Sequence, residues 1–221
     1  MFGKIKKKVN EVLSSHQTYK SETGHSIIKV LLDKGITGEY LSFFALHPLP
    51  GEHKTLFNVY VPKKRGGHTE IDLIFVHETG LYVIESKNYS AWIYGNGDHK
   101  NWTQVFPNGK KYSFYNPIKQ NETHIRALQH VLPDIPSTLY ENIVVFSERC
   151  KLKSIVFMRE HTYVIRRPDL KGLIQKLTNK RQRIFSKEQV QSIYDKLKQY
   201  ANADEQIVRQ HKETIRQKHQ K

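Results

Sequence analysis

The stretch from Glu70 to Asn88 constrains this chain more than any other. It reads as two buried strands and a tight turn, with Ile71, Leu73, Ile74, Phe75 and Val76 before the turn and Leu81, Tyr82, Val83 and Ile84 after it. Runs of β-branched and aromatic residues bounded by turn residues signal strands covered on both faces. Asp72, Glu85 and Lys87 break that pattern, and charges are costly in such surroundings.

With Glu78 and Thr79 as a two-residue loop, His77 pairs with Gly80, and Asp72 falls directly opposite Glu85. Opposed residues of an antiparallel pair share a face, with Cβ atoms roughly 5 Å apart. Lys87, two residues beyond Glu85, points to that face as well. Two carboxylates and an ammonium then converge at one end of the hairpin, which requires a cation between the acids or a protonated carboxyl. Glu-Thr lacks the usual Asn-Gly or Gly-X turn chemistry. A three-residue loop using Gly80 is the alternative, and it moves Asp72 to the other face unless a bulge restores it.

Around the hairpin the patterning alternates between helix and strand. Residues 2 to 13 have helical apolar spacing with a basic face and read as a solvated leader, the alternative being a segment resting on an acidic membrane surface. Ser14 to Ser21 is polar and reads as a loop or helix break. His25 to Leu46 has helical spacing interrupted by Gly35 and Gly38, with an amphipathic helix beginning near Glu39, where a carboxylate in the first turn complements the helix dipole. Lys54 to Val61 is a strand and Pro62 to His68 a basic turn, so a three-stranded meander ends in Glu85-Ser86-Lys87. Short strands follow at Trp92 to Tyr94 and Trp102 to Val105, around a Gly95–Gly97 loop. Asn116-Pro117 opens a helix reaching towards Leu132. Glu141 to Ser147 is a buried strand, and Ser154 to Phe157 and Tyr163 to Ile165 are candidate edge strands. Pro168 to Leu177 and Ser186 to Tyr200 are amphipathic helices, the second capped by Ser186, and a charged, Gln-rich tail follows Ala203.

Composition narrows the partners. The formal charge of +15 over 221 residues attracts polyanions, nucleic acid foremost. The lone cysteine, Cys150, excludes an internal disulfide and a thiolate zinc cage, and among twelve histidines there is no HExxH or His-x-His pair. No apolar run approaches the roughly 20 residues of a membrane span, and no secretory signal is evident. The expected location is the cytoplasm.

The segments GITGEY, LFNVYV, TEIDLIFV, GLYVIESKNYSAWIYG, NWTQ and NPIKQNETHI, in that order over roughly residues 34 to 130, resemble the nuclease-related domain (NERD) family of the PD-(D/E)xK nuclease superfamily. The resemblance implies an α/β (α+β) fold with a PD-(D/E)xK-like core, a central mixed sheet flanked by helices. It suggests a division into a basic leader (1–24), the nuclease core (25–165) and a helical C-terminal extension (166–221) outside the match. It implies metal-dependent hydrolysis of phosphodiester bonds, in DNA first. Asp72 and Glu85 would be ligands of Mg²⁺ or Mn²⁺, with the Ser86 carbonyl as a third and Glu39 reaching the metal through water. Hard oxygen donors suit those ions. Lys87 would position or activate the attacking water, and Gln104 and Gln120 match positions that hold a water or a phosphate oxygen. Ile71 stands where the superfamily name has Pro. No G-x-x-x-x-G-K-[ST] occurs, so nucleotide-driven activity would require a protein partner.

Bland readings stand beside these. Glu85 and Lys87 can form a surface ion pair of little worth, Asp72 can be a structural carboxylate, and Glu39 can be a dipole partner alone. Glu70 is expected to be solvated, a lone helical histidine such as His124 is ordinarily structural, and Trp92, Tyr94 and Trp102 are expected in the core rather than stacked on bases. The competing function is a basic nucleic-acid-binding module with a vestigial nuclease site.

Overall fold

The computed structural model describes residues 14–24 and 26–201, with Arg209 and Glu213. The basic stretch 2 to 13 lies outside them, as does the rest of the tail after Ala203. Residues 14–23 form helix α1, followed by α2 (Ile27–Leu32) and α3 (Lys34–Leu46). The meander β1 (His53–Pro62), β2 (His68–His77) and β3 (Gly80–Lys87) comes next, then β4 (Ala91–Asn96), β5 (Asn101–Val105) and β6 (Lys111–Tyr115). Helix α4 (Pro117–Val131), β7 (Tyr140–Phe146), β8 (Cys150–Val156), β9 (Thr162–Arg166), α5 (Leu170–Lys180) and α6 (Lys187–Lys198) complete the order.

Two mixed sheets result, β1-β2-β3-β7-β9 and β6-β5-β4-β8. In the first, β1, β2 and β3 are antiparallel, while β7 and β9 add in parallel. The alternation along β3 assigns its two faces. Tyr82 and Ile84 pack with Tyr40 and Phe43 of α3 and Leu170 and Ile174 of α5. Leu81 and Val83 pack with Ala127 and Leu128 of α4 and Ile193 and Leu197 of α6. Helices therefore cover both faces, which is why the hairpin reads as near-continuous apolar sequence. A third cluster, with Ile93, Trp102, Val144 and Phe146, joins the sheets.

The hairpin register is the two-residue one, since His77 pairs with Gly80 and Leu73 with Ile84. Tertiary contacts supply what the Glu-Thr turn lacks in local chemistry. Thr79 Oγ1 lies 2.9 Å from His77 Nδ1 and 2.7 Å from Tyr82 OH. The Glu78 carbonyl accepts from Ile184 N and Phe185 N, and Glu78 N donates to the Glu52 carbonyl. The turn is buried, and its neighbours specify it.

Three local expectations change. Ser14 to Ser21 belongs to α1 rather than a loop, because Tyr19 is fully buried against the rings of Tyr40 and Phe57, both with centroids 5.0 Å away. The helical break before Glu39 falls at Asp33, and Gly35 and Gly38 lie inside α3. A Cβ on Gly38 would stand 3.0 Å from Arg167 Nη2 and 3.5 Å from Ser86 Oγ, so the glycine lets the helix approach β3 closely. Gly95 lies within β4 rather than a loop, pairing with Ile155. β6 has no counterpart among the expected strands; LysTyrSerPheTyr alternates too weakly, with only Phe114 packing inward.

Candidate active site

The hydrogen-bonded ladder between β2 and β3 ends at Leu73–Ile84, one pair short of Asp72 and Glu85. Beyond that point Asp72 takes over with its side chain, Oδ2 accepting from Ser86 N at 2.8 Å. β1 is irregular at the matching place. Phe57 pairs with Leu73 and Val59 with Ile71, while Asn58 between them has φ +50°, a left-handed conformation that asparagine tolerates better than most residues. Leu56 and Val59 both enter the α4-side cluster, as do Ile71 and Ile74, so the alternation of both strands slips by one at Asn58 and Asp72. Asn58 uses its position to donate from Nδ2 to Glu39 Oε2 at 3.3 Å. Helix α3 packs across β2 and β3, which brings Glu39 to the hairpin.

Glu85 forms the floor, 1% exposed. Its Oε1 meets Lys87 Nζ at 2.7 Å and its Oε2 meets His124 Nε2 at 2.9 Å. A carboxylate only accepts, so the histidine Nε2–H donates; its Nδ1 lies 2.8 Å from Thr69 Oγ1. Lys87 Nζ also donates to Gln120 Oε1 at 3.0 Å. Gln120 and His124 are one turn apart on α4, so a single helix face holds both members of the Glu85–Lys87 pair.

The charges interact strongly. Burial pushes the Asp72 carboxyl well above its ordinary range, and the Glu85 charge adds to the rise, with Lys87 offsetting it in part. Burial would raise Glu85 too, but Lys87 and the His124 hydrogen bond outweigh it and hold that carboxyl at about 2. Burial would lower Lys87, yet Glu85 and Asp72 keep its ammonium above the usual range. Glu39 rises to about 7 through burial, the Asn58 hydrogen bond opposing and the charge of Glu70 adding.

Of the residues singled out by sequence, Asp72, Glu85, Ser86, Lys87, Glu39 and Gln120 gather here. Gln104, buried on β5, donates to the Ser90 carbonyl at 2.8 Å and so anchors the connection leaving Lys87. Trp102 is a core residue, stacked on Phe146 with centroids 6.1 Å apart, whereas Trp92 and Tyr94 are not buried. His124, Thr69 and Asn58 were not assigned to the site from sequence. The signal for His124 was its spacing of four from Gln120 within NPIKQNETHI.

The donor set suits a small hard cation. Burial and the charges of Glu85 and Glu39 push the Asp72 carboxyl up, and burial pushes Glu39 up, so the ionised form of these acids is costly with one ammonium among them; a divalent ion held there would favour it. Among the described residues no three His, Cys, Asp or Glu side chains are placed to hold a metal alone. A magnesium site typically takes one or two carboxylates and completes its shell with water and phosphate. A separate cavity of about 700 Å³ between the start of β1 and α6, lined by Glu52, His53 and Asp195 among others, lies at the far end of the hairpin from Asp72.

The family model described as "nuclease-related domain" matches residues 34–147. An uncharacterized protein of Bacillus anthracis is 30% identical over 205 residues, covering 92% of this chain and 87% of that protein. No solved structure matches. Among the described residues no helix is long and apolar enough to cross a membrane.

Proposed function

Because the chain belongs to the nuclease-related domain family, we propose that it hydrolyses phosphodiester bonds of nucleic acid, DNA foremost, at the centre formed by Asp72, Glu85 and Lys87. The observation that carries this reading is the convergence of those three side chains where the β2–β3 ladder opens, braced by Gln120 and His124 from α4.

Asp72, Glu85 and the Ser86 carbonyl are the groups that would hold Mg²⁺ or Mn²⁺, with Glu39 contributing through water. The bound ion would polarise the phosphoryl oxygens and lower the pKa of a coordinated water. Lys87 has three N–H donors, and Glu85 and Gln120 occupy two of them. The third serves a water or a phosphoryl oxygen. With its ammonium held protonated, Lys87 acts as a hydrogen-bond donor to charge that grows on the phosphorus oxygens rather than as the base. His124 and Thr69 fix the Glu85 carboxylate in place. A water oxygen attacks phosphorus and releases one proton to bulk water as the bond to the leaving ester oxygen breaks, and that oxygen takes up a proton from solvent.

The test incubates linear, circular and single-stranded DNA with the full chain in Mg²⁺, Mn²⁺ or EDTA. Cleavage requires a divalent ion, and Lys87→Ala lowers its rate by at least about 100-fold while leaving DNA affinity in EDTA nearly unchanged. Absence of product in every ion, with salt-sensitive binding retained, would replace the nuclease with a binding module.

A further inference from the structure

The second sheet turns one face to solvent. Ile93, Trp102 and Phe114 point inward to the third cluster, so the register sends the alternate positions outward. Trp92 pairs with Val105, Tyr94 with Thr103 and Asn101 with Tyr115. Tyr94 is 37% exposed and Tyr115 42%. Lys111 on one edge strand and Lys151 and Lys153 on the other are exposed. β4, β5, β6 and β8 contain no Asp or Glu at all. The parallel pairing of β4 with β8 shifts register between Ile93 and Tyr94, where Lys153 is the extra residue. That bulge carries the Lys153 ammonium to 5.5 Å from the centre of the Trp92 ring.

We infer that this face is a platform for single-stranded nucleic acid, with Trp92, Tyr94 and Tyr115 stacking on bases and Lys111, Lys151 and Lys153 meeting the phosphates. Solvent-facing strands ordinarily carry polar side chains, and exposed rings interleaved with cations are what a sequence-tolerant stacking surface uses. The occupant is an anion because the charged side chains of these four strands, Lys111, Lys151 and Lys153, are all cationic. It is single-stranded because a duplex keeps the faces of its bases stacked inside and unavailable to a side-chain ring. Trp92 and Tyr94, two residues apart on one strand, are separated by about 7 Å, so each takes its own base. Trp92 follows Lys87 by five residues, which limits their separation to about 18 Å and puts the platform within a few nucleotides of the proposed cleavage centre. The inference rests on the nucleic-acid reading above and adds the strandedness of the substrate and the surface that holds it.

The experiment uses the full chain in EDTA with a short labelled oligothymidylate and a duplex of equal length, read by anisotropy and by tryptophan fluorescence. The chain has two tryptophans, and Trp102 is 1% exposed, so quenching by bound bases reports Trp92. Trp92→Ala is expected to weaken single-strand binding about 5- to 150-fold and to leave duplex binding and the circular dichroism spectrum unchanged, while Trp92→Phe retains most of the affinity. Replacing Lys151 and Lys153 together by Gln is expected to flatten the salt slope by roughly 1. Single-strand affinity that ignores both the Trp92→Ala and the double lysine change would overturn the platform and leave the nuclease reading standing. A natural chain that binds neither DNA form would overturn both.

Discussion

Glu39 sits half-buried between the Asn58 amide and the acids of the hairpin, and its carboxyl is pushed up to about 7, by burial first. A carboxyl whose folded-state value is raised binds its proton more tightly in the folded chain. Its effect on stability is therefore neutral below the unfolded value near 4.5 and increasingly unfavourable as pH rises through about 7. Glu39→Gln removes the charge and keeps an acceptor for Asn58. The variant should be more stable than the natural chain at pH 8, by about 3 kcal/mol at most, and equal to it at pH 4.5. Urea midpoints in EDTA at the two pH values measure this, and an equal difference at both would remove buried charge as the cause. Added Mg²⁺ should narrow the gap at pH 8. Residues of this kind were only partly legible in the sequence. Glu85 and Lys87 share a face by simple strand spacing, whereas Asp72, expected directly opposite Glu85, lies where the alternation slips and the ladder has ended, and joins them through its bond from Ser86 N. Asn58 could not be placed by spacing, because its role follows from a left-handed backbone opposite Asp72 that no pattern of apolar residues announces. His124 looked like an ordinary helical histidine until Glu85 was found beneath it.

At the scale of elements, the parts that folded as read are those whose apolar periodicity is strong: the meander, α4 with its Asn116 cap, β7, and the two C-terminal helices. Asn116 caps with Oδ1 accepting from Ile118 N at 2.9 Å and also donates through Nδ2 to the carbonyls of Gly97 and His99. One residue thus starts α4 and fastens the β4–β5 connection to it. The parts misread are those where tertiary packing overrides local chemistry. Gly95 suggested a turn, but its purpose is proximity: a Cβ there would lie 2.2 Å from the Trp102 ring. That ring is stacked on Phe146 and hydrogen-bonded through Nε1 to the Asn96 carbonyl at 2.9 Å, so it has nowhere to go. Gly95→Ala should destabilise the chain by about 2 to 3 kcal/mol, the upper part of the usual cost of overpacking. Gly109→Ala is a poor control because of its φ of +80°, whereas Gly172→Ala, which meets no atom within 4 Å on α5, should be neutral or slightly stabilising. Denaturant unfolding of the two variants separates crowding at Trp102 from a general effect of removing glycine.

For the molecule as a whole, the family match ends at residue 147, yet the sheet that carries the site does not end there. β9 pairs along β7 from Asn142–Thr162 to Phe146–Arg166. Helix α5 then returns to α3 and puts Leu170, Ile174 and Leu177 into the cluster that holds Phe57, Tyr82 and Ile84. Helix α6 does the same on the opposite face, with Val190, Ile193, Tyr194 and Leu197 against Leu56, Val76 and Leu81. Two further ties close this arrangement: Tyr60 N donates to the Tyr200 carbonyl at 3.0 Å, and Tyr194 OH donates to Glu22 of α1 at 2.8 Å. Removing α5 and α6 would bare apolar ground on both faces of the site-bearing sheet, well beyond the few hundred Å² that a soluble surface normally shows in one patch. A fragment of residues 1–165, which keeps α1 and lacks α5 and α6, should consequently bind a hydrophobic dye, associate at micromolar concentration and lose cooperative urea unfolding, whereas the full chain should unfold in one transition. The C-terminal helices, though outside the nuclease-like motifs, then count as part of the structure that keeps Glu85 and Lys87 in register. A fragment that unfolds cooperatively and cleaves DNA at the rate of the full chain would show instead that the hairpin and α4 hold the centre without them.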